Sequence, residues 1–261
     1  MNRCLCVLGI IMATFCASPA VAQQRVRLRM LPPVGQTTHY RLSVKLWVSA
    51  QGLPKFESEE PIVTEIMFYT QRVLHREGGI WTVATHVDSS IMVSGRRRLP
   101  FDSLRGEVVR EVMDSLGGRH SSAVTTPPDA NPTMLTGVSS GGALGFHGVH
   151  LPVRPVRVAE SWVDSNTAAV QSRGGGALTK APTTYRLDRL EREGSHRVAV
   201  ISFTTPISVR GAGGSYASRG RWKGVARLDI DGGRLLQWTV DQTLEASGGG
   251  SRSLVELDRL R

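Results

Sequence analysis

The chain has 261 residues, 40% of them hydrophobic, and a formal net charge of +10, a length that can bury one core or two smaller ones. Lysine occurs only at positions 45, 55, 180 and 223, so arginine carries the charge, and the arginines are scattered, with Arg96-Arg97-Arg98 the only run of three. That excludes the basic stripe of a specific nucleic-acid binder and leaves a weak association with anionic envelope surfaces. Cys4, Cys6 and Cys16 are the only cysteines, which excludes a disulfide, a thiolate nucleophile or a cysteine-ligated metal from everything beyond them.

In chain order, Arg3, the apolar run from Cys4 to Phe15 and then Ala20-Val21-Ala22 ahead of Gln23 have the layout of a secretory signal peptide spanning 1–22. The run falls short of the roughly 20 apolar residues that a membrane-spanning helix needs. Phe15 occupies the place before Cys16 where a lipoprotein signal has a small residue. The expectation is an exported protein, periplasmic or extracellular, with no transmembrane segment in the mature chain.

Beyond the signal, the apolar residues recur with period two. Tyr40, Leu42, Val44, Leu46 and Val48 alternate with Arg41, Ser43, Lys45 and Trp47, and Trp81, Val83, Thr85 and Val87 repeat the pattern, as in a strand with one buried face. Ala226, Leu228 and Ile230 are followed by Asp231-Gly232-Gly233 and then by Leu236, Trp238 and Val240, which predicts a hairpin with those three residues on one face. Glu77-Gly78-Gly79 and Glu193-Gly194-Ser195 predict further turns, joining 62–74 to 80–93 and 185–190 to 197–203. In 103–117 the spacing of Leu104, Val108, Val112 and Leu116 suits a helix while the valines suit a strand, and the sequence leaves both open.

These elements predict a mostly β protein of antiparallel sheets, as two curved sheets or half-barrel lobes in tandem. The first lobe is expected over 23–120, a Gly/Ser/Pro-rich linker or mobile loop over 121–148, and the second lobe over 149–261. An internal echo supports two lobes: Tyr40-Arg41-Leu42 opens one alternating run and Tyr185-Arg186-Leu187 another, 145 residues later.

Three stretches carry residues of catalytic type. Gly137-Val138-Ser139-Ser140-Gly141 matches the pattern of a serine nucleophile elbow, but Pro132 before it and Gly142 and Gly145 after it do not suit the strand and helix that such an elbow needs. His147 and His150 have an H-x-x-H spacing without a framework to fix their rings, and His39, His75, His86, His120 and His196 do not cluster in sequence. Glu57, Glu59 and Glu60 form a short solvated run. No phosphate-binding or dinucleotide-binding motif is present. The sequence therefore assigns no catalytic, cofactor-binding or metal residue and implies no cofactor.

Leu151-Pro152-Val153-Arg154-Pro155-Val156-Arg157-Val158, Glu160-Ser161-Trp162, Tyr185-Arg186-Leu187 and the final hairpin together resemble a family of uncharacterised bacterial exported β-rich envelope proteins. Here Ala159-Glu160 stands where that family has Gly-Asp. The resemblance implies an envelope protein and carries over no catalytic residue. The expected function is binding of a lipid or other apolar or amphipathic ligand, or of a protein partner, on the concave face of a curved sheet. The alternative is a secreted serine or metal-dependent hydrolase.

Overall fold

The computed structural model describes residues 25–50, 60–100, 105–106, 108–125, 149–165, 168–171, 177–180, 182–210, 217–246 and 248–260. The expected signal segment 1–22 and most of the expected linker lie outside them. Among the described residues all regular structure is strand, and no helix is long and apolar enough to cross a membrane. The first half of the chain gives β1 (Thr37–Ala50), β2 (Val63–Glu77), β3 (Ile80–Ser94), β4 (Arg97–Pro100), β5 (Val108–Asp114) and β6 (Arg119–Thr125). The second gives β7 (Ser161–Asp164), β8 (Ala168–Gln171), β9 (Ala177–Lys180), β10 (Thr183–Glu193), β11 (His196–Arg210), β12 (Ala217–Asp229), β13 (Arg234–Ala246) and β14 (Gly249–Arg259).

All fourteen strands belong to one sheet in the order β6-β5-β3-β2-β1-β14-β13-β12-β11-β10-β7, with β4 against β3 and the β8–β9 pair against β11. The two halves are thus not separate sheets. They meet at an antiparallel ladder between β1 and β14, running from Tyr40 opposite Arg259 to Ala50 opposite Gly249. The join follows from the alternation: Tyr40 and Leu42 on β1 and Val255 and Leu257 on β14 are buried on the same side, so pairing makes one apolar face of two.

One hairpin of the first half is echoed in the second, in a register other than the one the Tyr-Arg-Leu echo suggested. A constant shift of 116 residues carries Tyr69, Leu74, Arg76, Glu77 and Gly78 onto Tyr185, Leu190, Arg192, Glu193 and Gly194. The pairing obeys the same shift: Tyr69 faces Val87 and Gln71 faces Thr85, as Tyr185 faces Phe203 and Leu187 faces Ile201. The bulges differ in place: β2–β3 has register shifts at Phe68/Tyr69 and Val73/His75, and β10–β11 has one at Leu187/Arg189. Each hairpin has a stacked aromatic across to the neighbouring strand of the sheet, Tyr40 on Tyr69 at 5.3 Å and Trp162 on Tyr185 at 5.6 Å. Tyr185 is thus the counterpart of Tyr69, and β10 that of β2.

The ambiguous 103–117 segment is strand where it is described, as β5, with Val109 and Met113 buried. The Asp231-Gly232-Gly233 hairpin joins β12 to β13. Its inward face differs from the expected one in one residue. A register shift opposite Arg227 and Leu228 makes Leu236 the extra residue, so Leu235, not Leu236, packs with Trp238 against the core.

Two irregular segments cover the inner face. Residues 25–32 and 149–158 are held together by the paired backbone bonds between Val26 and Val156, at 2.8 and 2.9 Å. Val26, Leu28, Val149, Leu151 and Val156 fill the second half with Tyr185, Leu187, Ile201, Ala226 and Leu228. The segments are anchored to the hairpin ends: Met30 N donates to Ser115 O and Leu151 N to Leu116 O. Gly117 and Gly233 allow this approach, since both have positive φ. A Cβ on Gly117 would collide with the Val149 carbonyl, and one on Gly233 would lie 2.7 Å from the Leu31 backbone.

The opposite face carries ion pairs. Lys45 pairs with Glu256, Arg252 with Asp241, and Arg227 with Glu191 and Glu193, while Gln237 donates to Asp258.

Candidate functional site

Covering by these segments is uneven, and over the first half it leaves a cavity of about 70 Å³ that opens to solvent. Met30 and Pro32 form one wall; Tyr69 and Val73 of β2, Val83 of β3 and Met113 of β5 form the floor. Gly233, Arg234 and Leu235 close it from the β12–β13 turn, and Tyr40 and Leu257 from the central seam.

Apart from the aromatic residues, the polar side chains are Thr38, Gln71, Glu111 and Arg234 from strands and Gln36 just before β1. Glu111, on β5 between Val109 and Met113, has a side chain only 1% exposed and accepts from Arg119 across the β5–β6 hairpin at 3.3 Å. Burial pushes its carboxyl up, and the Arg119 hydrogen bond and charge oppose that shift. Gln71, in phase with Tyr69 and Val73, donates to Thr85 Oγ1 at 3.2 Å. Gln36 precedes β1, its carbonyl accepting from Val73 N at 3.0 Å; its side-chain Oε1 is buried without a hydrogen-bond partner among the described residues.

The aromatic groups are fixed by their own bonds. Tyr40 donates to Leu235 O at 2.9 Å, and Trp81 Nε1 donates to Asp114 O at 3.2 Å. Burial pushes the Tyr40 phenol up to about 12 against the opposing charges of Arg234 and Arg259. Burial also holds Tyr69 well above the ordinary phenol value, with Tyr40 and Glu111 adding to the effect. Both therefore stay neutral in ordinary buffers. Arg234 is held by the buried carboxylate of Asp229 at 3.3 Å.

The repeat shows what sets this region apart. The counterparts of Gln71 and Thr85 in the second half are Leu187 and Ile201. Glu111 faces Val83, whereas Leu228 faces Ala199 at the corresponding place. One half is apolar and filled; the other is polar at three matching positions, and that is the half with the cavity.

The residues singled out in the sequence lie elsewhere. Ser139, His147, Glu57, Glu59 and the three cysteines fall outside the described residues, and Glu60 is exposed. His150 is half-buried, 3.7 Å from Asp164, and its carbonyl accepts from Trp162 Nε1. His86, His120 and His196 each lie near one carboxylate, of Asp88, Asp114 and Asp229, within 3.1 to 3.2 Å. His39 contacts Thr70, and His75 is exposed beside Glu77. Among the described residues no three His, Cys, Asp or Glu are grouped to hold a metal ion. The cavity residues were readable only as polar side chains in the inward phase of a strand, Gln71 and Glu111 foremost.

Comparison with known families finds no matching family model, and no curated protein matches the chain. Among solved structures, the chain is similar to one described as "Asymmetric conductivity of engineered proteins", at 6% identity and TM-score 0.24 over 86% of this chain and 99% of that one. A mutant of Rh. blastica porin matches at 7% identity and TM-score 0.23 over 86% and 99%. P47 of Clostridium botulinum E1 matches at 6% identity and TM-score 0.20 over 84% and 83%. At such scores none of the three bears on what this chain does.

Proposed function

We propose that this protein binds an amphipathic, largely apolar ligand in the cavity of the first half, without transforming it. The observation that carries the reading is the cavity itself: apolar walls with a small number of placed polar groups are the usual make-up of a small-molecule site. The lining offers one carboxylate and no serine, histidine or cysteine, so it provides contacts more readily than a nucleophile with its base. The charged ladder on the opposite face supports a sheet that meets water on its outside and a ligand on its inside, the reverse of a lipid-embedded barrel. The Arg3, 4–15 and Ala20-Val21-Ala22 pattern supports an exported setting for this binding.

The test is a fluorescence titration with 1-N-phenylnaphthylamine, an uncharged apolar dye. One saturable site is expected, weakened about tenfold or more by Val83→Phe, which puts a ring into the cavity. Absence of saturable binding, or binding indifferent to Val83→Phe in a protein with unchanged circular dichroism, would reject the reading.

A further inference from the structure

The geometry points to a ligand whose polar end is an uncharged hydrogen-bond donor, a hydroxyl, received inside the cavity by the Gln36 side-chain oxygen. This inference rests on the cavity being the binding site and adds the chemistry of the group it selects. Both charged side chains that line the cavity already have protein counterions. Glu111 is paired with Arg119, and Arg234 with Asp229, whose side chain is 2% exposed. An anionic head group would share Arg234 with the buried Asp229 carboxylate, and a cationic one would compete with Arg119 for Glu111. Either exchange weakens an ion pair already made within the fold. A neutral donor disturbs neither pair.

The acceptor such a donor needs is present. Gln36 Oε1 is buried without a hydrogen-bond partner among the described residues, and a buried acceptor left unsatisfied is costly. The other amide of the cavity, Gln71 Nε2, donates to Thr85 instead. Met30, Val73, Val83, Met113 and Leu257 then provide the surface for an alkyl or ring body. The second half lacks this selectivity: Leu187, Ile201 and Leu228 stand at the places of Gln71, Thr85 and Glu111, and chain segments fill the space.

Displacement of the bound dye by 1-decanol, decanoate and decyltrimethylammonium compares the three head groups on one chain length. Decanol should compete at concentrations about tenfold lower than either ion, and Gln36→Leu should remove about that factor for decanol while leaving decanoate unchanged. Gln36→Met, closer in shape to the native side chain, should do the same and covers the case in which Gln36→Leu fails to fold. Equal or tighter binding of either ion, or a decanol affinity indifferent to both variants, would overturn the hydroxyl inference while leaving the cavity as the site. If none of the three displaces a dye that is bound in the Val83-sensitive manner, the hydroxyl inference also falls. If no dye binds at all, it falls together with the proposed function.

Discussion

Ala159 is the only non-glycine among the described residues with positive φ, at 68°. Such a left-handed turn suits glycine, and here it carries an alanine. The turn is held from both sides: Ala159 N donates to Leu187 O at 2.7 Å, and the Glu160 carboxylate accepts from Arg157 N at 2.9 Å and from Arg154. Left-handed geometry costs an alanine about 1 to 2 kcal/mol, and a new glycine returns part of that through unfolded-chain entropy. Ala159→Gly should therefore stabilise the protein by about 0.5 to 1 kcal/mol, measured by urea denaturation. A second single-residue effect is electrostatic. Arg197 holds the Asp231 carboxyl down to about 2 through side-chain and backbone hydrogen bonds. A lowered folded pKa contributes stability that is whole above the ordinary aspartate value of about 4 and is lost as pH falls toward about 2. Asp231→Asn should remove that part of the acid dependence and change little between successive points above pH 5. Residues of this scale were partly legible: Gln71 and Glu111 stand in the inward phase of alternating runs, but only the structure separates a cavity lining from a satisfied polar residue.

Among the elements, hairpins with short glycine turns were the most legible, because a turn residue acts locally. The β2–β3, β10–β11 and β12–β13 connections all lie where the sequence places them. The bulges were not legible, since an extra residue is set by how two strands curve over a common core. That is why Leu236 was expected in the place Leu235 takes. Trp238 keeps its expected role and gains another, packing against both core clusters and stacking on Phe203 at 6.3 Å. Trp238→Ala should cost about 3 kcal/mol or more in chemical denaturation, the range of large aromatic truncations. Thr239, opposite Val225 and Glu256 on the other face, should lose under about 1 kcal/mol on replacement by alanine. Equal losses would contradict a sheet with one buried side.

For the whole molecule, the mostly antiparallel β class was legible from period-two patterning, and the single sheet was not. Nothing in local sequence marks β1 and β14 as neighbours, because a ladder between distant strands is decided by which exposed edges and apolar faces remain once the local hairpins have formed. The shared seam has a direct test. Cutting the backbone at one engineered protease site within 126–148 should leave the two pieces associated in size-exclusion chromatography. They are held by the β1–β14 ladder, the Leu151 to Leu116 bond and the core around Trp238. Two self-sufficient lobes would separate on dilution.

That seam also governs the order in which the protein can acquire its structure. Each meander is built from strands adjacent in sequence, so its loops close quickly, whereas Tyr40 must find Arg259 across nearly the entire chain. Closing a loop of that length carries a larger entropy cost before any contact rewards it, and such pairings belong to the slow, millisecond-to-second range of folding. Strand content should accordingly rise ahead of the burial of Trp238. Until the seam forms, β1 and β14 present two long unpaired edges to other chains, so the interval before closure is when this protein is most exposed to pairing with a copy of itself.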